Sequence, residues 1–181
     1  MTENKNPFLK PYNTPHDTAP FHLIKIEHYE PALLEGMKEQ NEEIDAIVNN
    51  PEAPTFQNTI VALEKSGALL DRVTTVFGNL MSAETSDEMQ ELAEKMMPVL
   101  SEHSNNISLN EKLFARIKAV YEQDQLQLKG EDAQLLQKTY DGFVRSGANL
   151  TGEAKEKFRQ LNTELSILTL RFSQNLLKET K

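Results

Sequence analysis

Over residues 151–181, apolar side chains recur at Ala154, Phe158, Leu161, Leu165, Leu168, Phe172 and Leu176, in steps of three and four. This spacing draws one stripe along an amphipathic helix and predicts that the stripe is buried. The chain then closes on Glu179-Thr180-Lys181, with no Gly, Asn or Pro after the last periodic residue. A helix normally carries such a stop, so this end reads as cut short.

The same 3.6-residue period runs through the rest of the chain. A helix is predicted over 28–49, with Pro31 in its first turn and Leu33, Met37, Ile44, Ile47 and Val48 on the inner face. A second helical stretch is predicted over 55–83, with Phe56, Ile60, Leu63, Leu70, Val73, Phe77 and Leu80 on one face. Ser66-Gly67 kinks or splits it, and Gly78 is expected to lie close against a neighbouring backbone. Thr85-Ser86-Asp87-Glu88 has capping-box spacing and opens a helix carrying Met89, Leu92, Met96 and Leu100, with a kink expected at Pro98. Ser108-Leu109-Asn110-Glu111 reads as another capping box, ahead of Leu113, Phe114, Ile117, Val120 and Tyr121. After a polar loop over 122–130, Leu135, Leu136, Tyr140, Phe143 and Val144 mark a fifth helix closed by Gly147, and Thr151 caps the last.

No segment alternates apolar and polar residues with β-branched enrichment, and no fixed-period repeat occurs. The fold is therefore expected to be all-α, about six mostly antiparallel helices joined by short loops. Residues 1–24 carry Pro7, Pro11, Pro15 and Pro20, which predicts an extended arm; Phe8, Tyr12, Phe21 and Leu23 predict that it lies on the helical body, residues 25–181.

Composition narrows the function. The 181 residues carry a formal charge of −9, so a polyanion such as nucleic acid is repelled, and no Lys/Arg cluster offsets this. The absence of cysteine removes disulfides, thiol nucleophiles and Cys-based metal sites, and fits a reducing compartment such as the cytoplasm. The N-terminal segment has no apolar core of a signal peptide, and no run reaches membrane-spanning length. Asn106-Ile107-Ser108 and Asn149-Leu150-Thr151 match the glycosylation pattern and read as chance matches.

Sites of chemistry are scarce. A helical zinc hydrolase needs His at i and i+4 with Glu between, and none of His16, His22, His28 and His103 is so spaced. His103 falls three residues after Leu100 on the apolar side of its helix, where packing accounts for it. Glu42-Glu43 and Asp87-Glu88 lie on solvent faces by periodicity. No G-x-S-x-G, phosphate-binding glycine loop or Ser with a nearby His occurs. In Tyr140-Asp141-Gly142-Phe143-Val144-Arg145, Arg145 sits where a cation complements a helix C-terminus, and Arg also suits carboxylate recognition. Tyr140 and Arg145 are the substrate-binding candidates; no residue is a catalytic or metal-ligand candidate.

Several stretches carry a joint likeness in order and spacing. They are Pro20-Phe21-His22-Leu23-Ile24-Lys25-Ile26-Glu27-His28-Tyr29-Glu30-Pro31-Ala32, Pro54-Thr55-Phe56-Gln57-Asn58-Thr59-Ile60, Ser66-Gly67, Arg72-Val73, Phe77-Gly78-Asn79-Leu80, residues 140–150, and Arg171-Phe172-Ser173-Gln174-Asn175. Together, over residues 7–181, they resemble the N-terminal region of bacterial peptidyl-dipeptidases and oligopeptidase A, in the thimet-oligopeptidase family of zinc peptidases. The resemblance implies a helical ellipsoid with a deep channel, and cleavage of short peptides with release of C-terminal dipeptides. It also implies a zinc held by an H-E-x-x-H motif downstream of this region. The partners implied are a C-terminal catalytic half and short peptides, with no nucleic acid or membrane. This region is then channel wall, inactive by itself. Two other readings stay open on residues alone: a free-standing helical module binding a peptide or helix, and a hydrolase with a dispersed triad.

Overall fold

In the computed structural model, residues 6–123 and 127–179 are described. They form six long helices and no strand: α1 (Tyr29–Val48), α3 (Ala68–Ala83), α4 (Asp87–Ser108), α5 (Glu111–Tyr121), α6 (Glu131–Arg145) and α7 (Gly152–Glu179), with α2 (Ala62–Glu64) a single turn ahead of α3. Thr180 and Lys181, on which the reading of a cut end partly rests, lie outside the described residues, as do residues 1–5 of the arm and 124–126 of the polar loop.

Two apolar clusters share α1. Its first half contributes Tyr29, Leu33 and Met37 to a core completed by Val73, Val76 and Phe77 of α3 and by Met89, Ala93 and Met96 of α4. Its second half contributes Ile44 and Ile47 to a core with Phe56, Ile60, Leu113, Ile117, Val120 and Leu136. These are the inner faces that the periodicity picks out, so the two clusters follow from one long amphipathic helix lying across both.

The break expected at Ser66-Gly67 is present. Gly67 has φ 75, a conformation that disfavours a side chain, and a Cβ there would come within 2.3 Å of Gln40 Nε2. The close approach expected at Gly78 is elsewhere. Nothing lies within 4 Å of where a Gly78 Cβ would stand, whereas one on Gly36 would sit 2.9 Å from both N and Cα of Leu70. Gly36 is thus the point where α1 and α3 cross backbone against backbone. Periodicity cannot find it, because a glycine is silent in an apolar pattern.

Two caps differ by register. Ser86, not Thr85, caps α4 by accepting the Met89 N–H at 3.2 Å. Asn110, not Ser108, caps α5 by accepting the Leu113 N–H at 3.0 Å. In both places neighbouring residues compete to cap, and packing of the following helix selects the register. Pro98 lies inside α4, which continues through it to Ser108.

The arm is not uniformly extended. Single 3-10 turns occur in it at Pro7–Leu9 and Pro15–Asp17, and a third, Ile26–His28, lies beyond it and leads into α1. Proline opens the first two, at a position where its missing N–H is not needed. Phe8 is fully buried against Tyr29, with ring centroids 5.0 Å apart, and Tyr12 packs on the first core. Phe21 and Leu23 stay 55% and 54% exposed, so only the first half of the arm is anchored by its aromatic side chains.

The largest departure is α7. Most of its apolar stripe is not buried: Leu161, Leu165, Leu168, Phe172 and Leu176 are 52%, 62%, 59%, 69% and 56% exposed, while Phe158 is half-buried. The helix packs on α4 through a different, mostly polar face. Asn162 Nδ2 donates to Asn105 Oδ1 at 2.8 Å, Arg159 to Asn106 Oδ1 at 2.6 Å, and Lys155 meets Glu111 at 2.7 Å. Gln174 is buried, and Leu170 packs on the first core. Period alone locates a stripe on a helix; it does not say which neighbour the stripe meets.

Candidate functional site

Between the α2–α3 break, α4 and α6 lies a cleft of about 1070 Å³. Gln40 from α1, Asp71 and Thr74 from α3, His103 and Ser104 from α4, and Lys138, Thr139, Phe143 and Ser146 from α6 are among the residues that line it. Beside it, α6 packs on α5 and on the helical turn Phe56–Val61.

That turn is fixed by a reciprocal cap. Asn58 N–H donates to Thr55 Oγ1 at 3.1 Å, and Thr55 N–H donates to Asn58 Oδ1 at 2.8 Å. Arg116 of α5 donates to the carbonyls of Asn50 and Glu52 and to Asn58 Oδ1. The stretch Pro54-Thr55-Phe56-Gln57-Asn58-Thr59 is therefore a structural hub, joining the start of the turn to α5. Arg72 has a similar part at the other end: its guanidinium donates to the Phe8 carbonyl and lies 5.1 Å from the Tyr12 ring centre.

At the cleft wall, His103 Nε2 lies 2.7 Å from Gln40 Oε1, so the amide oxygen accepts from the imidazole. The Gly67 N–H donates to Glu43 Oε2 at 2.7 Å, tying the α2–α3 break to α1. Burial pulls the His103 pKa below its ordinary 6.5. The ring is thus neutral at pH 7 and packs as the sequence suggests. Its sign is destabilising in acid: the unfolded chain takes up a proton near pH 6.5 before the folded chain does. Stability is accordingly expected to fall as pH drops below about 6.5. The fall should be shallower in His103→Gln, as compared by urea unfolding at pH 7.5 and 5.5.

The sequence-based candidates do not meet here. Tyr140 stacks on Tyr121 at 3.9 Å with planes 4° apart, and on Phe114 at 5.8 Å; it is a packing residue between α5 and α6. Arg145 is exposed at the end of α6, and neither it nor Tyr140 lines the cleft. The cleft residues Gln40, Lys138 and Thr139 carry no sequence signal, since each reads as an ordinary polar helix position. Among the described residues, no three His, Asp or Glu side chains come together as a metal set. They offer no ligand set for a zinc, which the resemblance assigns to a motif downstream of this region. Among the described residues, the hydrogen bond of His103 Nε2 goes to Gln40 rather than to a serine. No described helix is long and apolar enough to cross a membrane. The arrangement offers a shaped recess lined by apolar side chains together with polar and charged ones.

No family model matches the chain. Over 177 residues, 97% of its length, it is 45% identical to the dipeptidyl carboxypeptidase of Salmonella typhimurium and 44% identical to that of Escherichia coli. Over 176 residues it is 27% identical to oligopeptidase A of Escherichia coli. The chain spans only about a quarter of each of these relatives: 26%, 26% and 25%. Over nearly all of its residues, the chain matches the N-terminal quarter of these proteins of the thimet-oligopeptidase family.

Proposed function

We propose that this chain is the N-terminal, non-catalytic helical portion of a cytoplasmic zinc peptidase that releases dipeptides from the C-termini of short peptides. Its arm, residues 1–24, and its helical body, residues 25–181, form part of a channel wall that admits flexible peptides and excludes folded proteins. The observation that carries this reading is the 45% identity to a dipeptidyl carboxypeptidase across 97% of the chain. The cleft is consistent with it: an enclosure needs shape, and the chain forms a recess of about 1070 Å³ lined by apolar, neutral polar and charged side chains. The zinc would supply a polarised carbonyl and an activated water, on ligands outside these residues.

The complete gene product is expected to release C-terminal dipeptides from short unstructured peptides, followed by mass spectrometry, and to leave a folded protein intact. The 181-residue chain alone is expected to cleave neither kind of substrate. A complete gene product that cleaves folded proteins as readily as peptides sinks the channel-wall reading.

A further inference from the structure

The outward face of α7 is unexplained by anything above. A helix on a protein surface ordinarily turns its apolar side inward. Here the polarity is reversed: Asn162, Thr163, Ser166 and Gln174 lie on the α4 side or are partly covered, while Leu161, Leu165, Leu168 and Phe172 are each more than half exposed. A continuous exposed apolar stripe of this kind marks an interaction surface.

We propose that this stripe is the seat of an apolar helix supplied by the remaining polypeptide of the complete gene product. The inference rests on the peptidase reading and adds the surface through which this portion is held to the rest. Three observations select the occupant. The steps of four, three and four between Leu161, Leu165, Leu168 and Phe172 make a narrow seam, the spacing at which one helix receives another. Along one edge of that seam, Lys157, Glu164 and Arg171 recur every seventh residue, exposed and with no ion pair among the described residues. That is the flanking position from which charges choose a partner helix. The matched relatives extend far beyond this segment, which covers 26% of their length, so on the peptidase reading the polypeptide that fills the seat belongs to the same molecule. A second copy is the poorer occupant, because each copy brings a net charge of −9.

The test uses the absence of cysteine in this segment. Leu165→Cys, and Gln160→Cys as an exposed reference on the same helix, are made in the complete gene product and in the 181-residue chain. Thiol labelling is read by mass spectrometry on the peptide carrying each site. Labelling at position 165 is expected to be at least about tenfold slower in the complete gene product than in the chain alone, with position 160 little changed. As a second measurement, the double variant Leu165→Glu, Phe172→Glu is expected to leave the helicity of the chain alone unchanged and to lower the thermal midpoint of the complete gene product. Equal labelling of position 165 in both forms overturns the proposal. So does protection in the chain alone that grows with its concentration, since a second copy then fills the seat. Protection without dipeptide release keeps the docking surface and rejects the peptidase reading; release without protection does the reverse.

Discussion

Gly36→Val is expected to destabilise the chain by about 3 kcal/mol or more, while Gly78→Ala stabilises it by about 0.5–1 kcal/mol. The two glycines look alike in sequence, each inside a helix, and differ only in their surroundings. At Gly36 a new Cβ would stand 2.9 Å from the backbone of Leu70, and backbone cannot move aside as a side-chain tip can. Valine adds two further carbons, so α1 and α3 must separate, and they hold the first core between them. At Gly78 nothing lies within 4 Å, so alanine meets no clash and only restricts the unfolded chain. Urea unfolding followed by far-ultraviolet circular dichroism measures both. At this chain length, about 3 kcal/mol corresponds to a fall in Tm of roughly 6–12 °C. A Gly36→Val variant as stable as the parent would mean that the two helices do not cross at this point.

Phe8→Ala is expected to cost about 3–5 kcal/mol, a large loss for a residue so near the terminus. Phe8 is fully buried and is the first of three rings in series: it lies 5.0 Å from Tyr29, which lies 5.4 Å from Phe77. The neighbouring backbone is clamped as well. Asn6 Nδ2 donates to the His28 carbonyl at 2.7 Å, and Asn6 Oδ1 accepts the Phe8 N–H at 3.1 Å. Removing the ring opens a cavity beneath this clamp, and proteolysis within residues 9–25 should accelerate accordingly. Tyr29→Phe is the reference. The Tyr29 hydroxyl is buried without a hydrogen-bond partner, and burial pushes its pKa up to about 12. Its loss should therefore be close to neutral. A Phe8→Ala chain that matched Tyr29→Phe in stability would show that the arm is not anchored by this ring.

The helices were legible because α1, α3, α4 and α5 each bury the face their periodicity marks. Gly67 was legible too, since a glycine after a serine in mid-helix costs enough to signal a break. What escaped was relational. Gly36 and Gly78 differ only in what lies opposite, and the caps at Ser86 and Asn110 won over adjacent residues only once the helices were packed. The stripe of α7 was found in full but assigned a cover that the described residues do not provide. For the cleft, His103 was legible as a packing histidine from its place after Leu100. Its partner Gln40, sixty-three positions away, was not. Tyr140 and Arg145 drew attention by residue type, yet one stacks on aromatic neighbours and the other faces solvent outside the cleft. The residues that carry the family likeness, among them Asn58, Gly67 and Arg72, proved to hold turns and the arm in place. A likeness carried by structural residues identifies a framework, and the chemistry has to be sought where reactive groups converge.

The central claim is that this portion supplies shape and that catalysis resides in other residues of the peptidase. The most direct measurement is made on the purified 181-residue chain: its zinc content by elemental mass spectrometry, together with turnover of a short peptide in the presence of added zinc. The predicted result is no stoichiometric zinc and no turnover. One tightly held zinc per chain accompanied by dipeptide release would contradict the account.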